Sequence, residues 1–287
     1  MSAERPIVAI IAPGEMGAAV GGRLRERGAE VRTSLRHRSA ASVARAQRHG
    51  LGSVEDDKAL LRDADFVLSI LPPGEAVALA ERLAPALAAG KEKPLYVDCN
   101  AINPRTMNRI AAIVEGTGAD CVDAGIIGGP PRPDAQGPKF YASGPQASRF
   151  AALRDWGLEV RVLDDRIGTA SALKMAYGSL TKGLTALAVT MALGAARAGA
   201  AKALKRELAE SQPHLDAWLK RQIPKMPPKA YRWVAEMEEI AAHLGANTAG
   251  GEIYEGIAHL YAEIARSHSG DHRDIEALKA FFGEPTK

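Results

Sequence analysis

The chain of 287 residues is long enough for one or two domains with a substantial core, and 37 lysines and arginines against 34 aspartates and glutamates leave a formal charge of +3. Both signs are interspersed, which argues against a nucleic-acid binder, and the short, broken apolar runs predict no membrane span and no membrane partner. The opening Met-Ser-Ala-Glu-Arg-Pro lacks a signal-peptide core, and the only cysteines, Cys99 and Cys121, read as small buried residues on neighbouring strands rather than a disulfide or metal pair, so the expectation is a cytoplasmic protein without a metal site.

The first 165 residues alternate strand and helix patterns. Strands are predicted over 7–12, 30–33, 51–54, 66–71, 95–98, 121–124, 140–143 and 159–163. Helices are predicted over 16–27, 41–49, 75–87, 104–114 and 146–156. Such alternation implies a parallel sheet covered on both faces, a Rossmann-type doubly wound α/β domain over 1–165. Ligands on such sheets bind beyond the carboxyl ends of the strands, so the loops at 13–16, 34–39, 72–75, 99–103 and 125–134 are the segments of interest.

The first loop is the most informative. An apolar strand runs into Ala12-Pro13-Gly14-Glu15-Met16-Gly17 and then a helix. Gly14 lets backbone approach a diphosphate, Gly17 lets helix and strand pack closely, and the helix start offers N–H groups to phosphate. Ala12 stands where the usual G-x-G-x-x-G pattern has its first glycine. The second strand then ends in Thr33-Ser34-Leu35-Arg36-His37-Arg38-Ser39, with no acid to take the ribose hydroxyls. Guanidinium and hydroxyl groups at Ser34, Arg36 and Arg38 suit a 2′-phosphate, which favours NADP over NAD; a solvated basic loop is the competing reading.

Leu71-Pro72-Pro73-Gly74 follows the fourth strand and forms a stiff turn that either edges the nicotinamide half of a cofactor or is only a turn. Asn100, after the fifth strand, offers an amide to ribose, carboxamide or substrate, or else caps the next helix, for which Asn103 before Pro104 is better suited. The run Asp123-Ala124-Gly125-Ile126-Ile127-Gly128-Gly129-Pro130-Pro131 exposes backbone N–H groups for an oxygen-rich substrate or serves as a plain crossover.

From 167 to about 206 an Ala/Leu/Lys-rich stretch runs without a strong breaker, followed by helical patterns at 213–222, 228–244 and 250–267. Residues 166–287 are thus an all-helical domain for substrate binding and dimerisation. A helix of about 50–60 Å cannot be covered by one small domain and is expected to lie against a second subunit. Lys174 is the leading catalytic candidate. Ser171, Gly178 and Thr181 share its helix face, leaving room for a ligand beside the ammonium, although a solvated lysine is the commoner explanation of such a residue.

With these segments in order the chain resembles the β-hydroxyacid dehydrogenase superfamily, which includes 6-phosphogluconate dehydrogenase, 3-hydroxyisobutyrate dehydrogenase and the imine reductases. The resemblance rests on the Ala12–Gly17 turn, the Asp123–Gly129 run and the Gly168…Lys174 helix start; Thr181-Lys182-Gly183-Leu184 and Tyr231-Arg232-Trp233-Val234…Glu236 look like a less characterised branch with a phosphogluconate-dehydrogenase-like C-terminal domain. It implies NAD(P)-linked hydride transfer at a carbonyl/alcohol or imine/amine centre, an intertwined homodimer, a catalytic Lys174 and a substrate loop at Gly128 and Gly129. Two substrate positions depart from the hydroxyacid enzymes: Ile127 replaces a serine and Gly178 an asparagine. A small 3-hydroxy acid would lose hydrogen bonds worth about 1.5–3 kcal/mol each, so a different small organic substrate is expected. The rival readings are an imine reductase and a non-catalytic NADP-binding dimeric sensor.

Overall fold

The computed structural model describes residues 5–132, 137–245 and 247–284. The chain divides into two compact units, Met1–Met175 and Ala176–Lys287, so the first unit takes the opening turns of the long helix with it.

Among its described residues the first unit has eight strands: β1 Ile7–Ile11, β2 Glu30–Ser34, β3 Gly52–Val54, β4 Phe66–Ser69, β5 Leu95–Asp98, β6 Cys121–Ile127, β7 Lys139–Ser143 and β8 Glu159–Val162. They form one sheet in the order β3-β2-β1-β4-β5-β6-β7-β8. The order reverses beside β1, where doubly wound sheets open a crevice for ligand. The central strands are buried on both faces because helices cover both, and their sequences are accordingly apolar up to the last residue, where β4 has Ser69 and β5 Asp98. Helices connect the first six strands: α1 Glu15–Glu26, α2 Ala40–Arg48, α3 Asp57–Leu61, α4 Ala76–Ala89 and α5 Pro104–Glu115. Two apolar clusters sit on opposite faces, one built on Val8, Ile10 and Leu68, the other on Ala9, Ile11 and Val67.

The structure corrects the sequence reading in several places. The sheet is not wholly parallel: β7 pairs antiparallel with β6. No helical pattern separates the two strands, and without a crossover the chain can only return as a neighbouring antiparallel strand. The helix expected over 146–156 is a four-residue turn, α6 Ala147–Phe150, followed by 3₁₀ structure at Ala151–Arg154. Helix α3 was not expected, because five residues are too few to show a period; Asp56 caps it, accepting from the Ala59 amide at 2.7 Å.

The long helix is shorter than the pattern suggests. It is α7 Thr169–Arg197, about 44 Å at 1.5 Å per residue, followed by a separate α8 Ala201–Ser211. Gly199 takes φ +74°, a left-handed conformation that ends the helix. By length and composition α7 is the one described helix apolar enough to cross a bilayer, a test that core helices of water-soluble proteins also pass. The second unit continues with α9 Pro213–Gln222, α10 Ala230–Leu244, α11 Ala249–Ser269 and α12 Arg273–Phe282, the last of which was not expected. Helices α10 and α11 pack together, with Trp233 set edge-on to Tyr261 at 5.1 Å between ring centroids.

Candidate functional site

The turn from β1 to α1 is built for close approach from outside. At Gly17 an added Cβ would lie 2.1 Å from the carbonyl oxygen of Ala12, so only glycine lets this helix sit on its strand. At Gly14 the same atom would meet nothing within 4 Å. Its φ of −70° is open to any residue, so the bare backbone there answers no need within the chain. Gly14 is the N-cap of α1 and supplies no side-chain cap, so the start of that helix is left to accept an anion. Pro13 is buried, Glu15 is exposed and Met16 is half-buried in this turn.

A cavity of about 250 Å³ opens beside it, lined by Ala12, Ser34, Arg36, His37 and Arg38, with Asp56, Asp57, Leu60 and Arg82 on its other wall. Neither the Arg36 nor the Arg38 guanidinium makes a hydrogen bond or ion pair with a described residue. Arg82 is held by Asp57 at 3.1 Å. The structure therefore brings Ala12 together with Ser34, Arg36 and Arg38, as a dinucleotide site requires. The far wall was not foreseen, since α3 left no periodic signal; the capping Asp56 was the one local sign of it.

Leu71 and Pro72 form the turn after β4, and the Leu71 amide donates to Asn100 Oδ1 at 2.7 Å. The Asn100 amide nitrogen donates to Ser69 Oγ at 2.7 Å and to Asp98 Oδ2 at 2.9 Å. Both of its protons are therefore committed inside the chain, and the residue is buried. Asn100 shapes the turn rather than offering its donors to a ligand. Asn103 caps α5, accepting from the amides of Arg105 and Thr106.

Lys174 sits in the first unit, half-buried, and its Nζ donates to the carbonyl oxygen of Ile126 at 2.8 Å. Strand β6 comes this close because of Gly125. An added Cβ there would lie 3.1 Å from the carbonyl oxygen of Ala170 and 3.1 Å from Lys174 Cβ. The start of α7 is fixed by the same strand. Asp123 Oδ2 accepts from the amides of Gly168 and Ser171, each at 2.9 Å, and its Oδ1 from the Ser171 hydroxyl at 2.7 Å. Ser171 is thus buried under Asp123 and does not keep the lysine's face open; Gly125 does. The Asp123 carboxyl is held above the usual carboxylate range by burial, against the opposing effect of these hydrogen bonds. The Asp98 carboxyl is pushed up to about 7, mainly by burial, with the facing Asp123 adding to it. Neither acid is a proton donor open to substrate, and Asp134, a further acid in this loop, lies outside the described residues.

Past Lys174 the strand ends in half-buried Ile127, and Gly128 and Gly129 follow, both exposed. Gly178 and Thr181 belong to the second unit. An added Cβ at Gly178 would lie 3.3 Å from Glu236 Oε1, so its missing side chain admits α10. Glu236 forms an ion pair with Lys182, whose ammonium stands 5.1 Å from the Trp233 ring. The Thr181 hydroxyl is used within its own helix, donating to the carbonyl oxygen of Tyr177 at 3.0 Å. Cys99 and Cys121 are buried free thiols pushed up by burial, which keeps them from acting as thiolates.

Comparison with known proteins agrees with this fold. Residues 7–156 match the family model of the NAD binding domain of 6-phosphogluconate dehydrogenase, and residues 195–264 match a domain of unknown function, DUF1932. An uncharacterised 28.5 kDa protein of Methanothermus fervidus is 30% identical over 158 residues, covering 55% of this chain. The match spans only 59% of that relative's length. Among solved structures, a conserved protein of unknown function described as structurally similar to 3-hydroxyacid dehydrogenases is 27% identical, with a TM-score of 0.65 over 92% of this chain and 98% of its own. A 3-hydroxyisobutyrate dehydrogenase from Mycobacterium tuberculosis in complex with L-serine shares the fold at 20% identity, with a TM-score of 0.71 over 96% of this chain and all of its own.

Proposed function

The chain belongs to the family of the NAD binding domain of 6-phosphogluconate dehydrogenase, within the β-hydroxyacid dehydrogenase superfamily, and from that premise we propose that it is an NADP-dependent oxidoreductase acting at a carbonyl/alcohol centre of a small organic substrate. The observation that carries the reading is Lys174, held against the Ile126 carbonyl by a strand stripped of its side chain at Gly125. The Ala12–Met16 turn fits the diphosphate. Ser34 with the unengaged Arg36 and Arg38 fits the 2′-phosphate, and Leu71 and Pro72 edge the nicotinamide half. Bound there, the cofactor supplies or takes a hydride. Lys174 handles the proton: its ammonium gives one to the oxygen that becomes alkoxide during reduction, and its neutral amine takes one from the hydroxyl during oxidation. The substrate approaches over Gly128 and Gly129, whose backbone is open to an oxygen-rich group.

A second reading, reduction of a carbon–nitrogen double bond, is favoured by one observation. Ile127, at the end of β6, offers no hydroxyl to a substrate carboxylate. A homodimer is also proposed. Its motive is no longer helix length but the exposed apolar side chains of the second unit, Leu180 at 67% and Leu187 at 63% on α7 with Ile253 at 57% on α11. Cytoplasmic placement goes with the dehydrogenase-like fold.

The test is to screen carbonyls and imines for NADPH consumption and then compare Lys174→Ala on the best substrate. Turnover should fall roughly 10²–10⁴-fold while NADPH affinity stays near wild type. Wild-type turnover in Lys174→Ala would overturn the role of the lysine, and NADPH binding with no turnover on any substrate would favour a sensor.

A further inference from the structure

Four polar side chains lie in a row across the sheet. Ser69, Asp98, Asp123 and Ser143 are successive register partners on β4, β5, β6 and β7. Each is at most 1% exposed. Register partners project to the same face, so two carboxyl groups stand next to each other in the interior. Burying such groups costs free energy unless hydrogen bonds offset it. The bonds that do so lead outward from the row in two directions.

On one side Asp98 takes both the amide N–H and the side-chain amide of Asn100, each at 2.9 Å. Asn100 in turn accepts from the Leu71 amide at 2.7 Å and so fixes the turn after β4. On the other side Asp123 takes the amide of Gly168, just before α7, and that of Ser171 in its first turn, and Lys174 follows Ser171 by one turn. Helices α2, α3, α5 and α11 are capped by the residue just before them, Ser39, Asp56, Asn103 and Thr248. The start of α7 is instead tied to a strand 45 residues earlier, the strand whose Ile126 carbonyl receives Lys174. A local cap would start the helix without setting its height above the sheet; Asp123 does both.

We propose that this buried row is a positioning device with two arms: Asp98 and Asn100 set the turn that receives the cofactor, and Asp123 sets Lys174 against β6. The proposal rests on the reading of Lys174 and the cofactor turn given above. Its signature is that the two arms affect different quantities, whereas a merely structural layer would affect both alike.

The test compares Asn100→Ala, Asp123→Ala, Asp123→Asn and Ser171→Ala with Lys174→Ala as reference. NADPH titration followed by fluorescence gives affinity and the number of folded sites, and turnover is expressed per bound NADPH. Asn100→Ala should weaken NADPH about tenfold, the loss of one well-formed bond to the turn, with turnover per site nearly unchanged. Asp123→Ala should leave NADPH affinity within about twofold and lower turnover per site roughly 10–100-fold, the effect of a displaced reacting group. Asp123→Asn keeps an acceptor for the two helix amides and should recover most of that loss. Amide hydrogen exchange at Gly168 and Ser171 should quicken in Asp123→Ala and not in Asn100→Ala, a readout independent of activity. Should Asp123→Ala fail to fold, Ser171→Ala removes only the 2.7 Å hydroxyl bond and should give the same pattern at smaller amplitude. Wild-type turnover per site in both Asp123→Ala and Ser171→Ala, or equal shifts of affinity and turnover in both arms, overturns the proposal. Wild-type turnover in Lys174→Ala overturns the reading of the lysine and the Asp123 arm with it; loss in Lys174→Ala without loss in Asp123→Ala overturns the positioning role alone.

Discussion

The two ends of the candidate site differ in how their polar groups are employed. Around Ser34, Arg36 and Arg38 the charges are exposed or half-buried and the two guanidiniums make no bond to the described chain. Around Lys174 the polar groups are occupied: Asp123 by the start of α7, the ammonium by Ile126. The first arrangement waits for a ligand's charge, while the second spends its bonds on geometry. Affinity and turnover should therefore be separable by mutation.

The occupied end should show the largest effect, in stability. The folded-state Asp98 carboxyl lies at about 7 against 3.8 for an ordinary aspartate. The folded chain thus holds this proton more tightly than the unfolded chain. Its contribution is full below about pH 4 and is lost as pH rises through about 7, with a size of a few kcal/mol. Urea denaturation at pH 5 and pH 8 should show lower stability at pH 8, and Asp98→Asn should shrink the difference. Equal stability at both pH values would remove the buried charge from the comparison.

Gly125→Val comes next. Its side chain would drive into Ala170 and Lys174, so α7 must move off β6. Turnover should drop roughly 10²-fold, as expected for a reacting group misplaced by about 1 Å, with NADPH binding preserved. Loss of both quantities together would blur the two regions into one.

At the unengaged end, Arg36→Ala and Arg38→Ala are expected to weaken NADP about tenfold or more through a lost charge-assisted bond, leaving NAD affinity nearly unchanged. Calorimetry with the two cofactors measures this and also tells which arginine carries it. Tighter binding of NAD than NADP by the wild-type chain would remove the phosphate reading. The smallest expected effect on the chemistry is that of Leu180→Glu with Leu187→Glu, which places charge on the exposed apolar face of α7. Light scattering should show a dimer becoming monomer at micromolar concentration, with NADP affinity unaffected.

The sequence alone determined a good deal. Alternating strand and helix patterns marked all eight strands to within a few residues, the central ones as largely apolar runs because they are buried on both faces, with Ser69 and Asp98 as buried polar residues at their ends. The Gly14 and Gly17 turn and the acid-free end of β2 were legible because local backbone and charge decide them. Tertiary structure decided the rest. The antiparallel return of β7 follows from strand pairing, which no period records. The break at Gly199 turned one expected helix into two, since a single glycine is tolerated in a helical pattern and only its φ of +74° makes it an end. Asn100 reads as a possible ligand because its amide chemistry permits it, and Asp123 only as the start of a loop offering backbone N–H groups. That their bonds are committed to Leu71, Gly168 and Ser171 depends on partners 29 to 48 residues away, brought within 3 Å by the packing of the sheet.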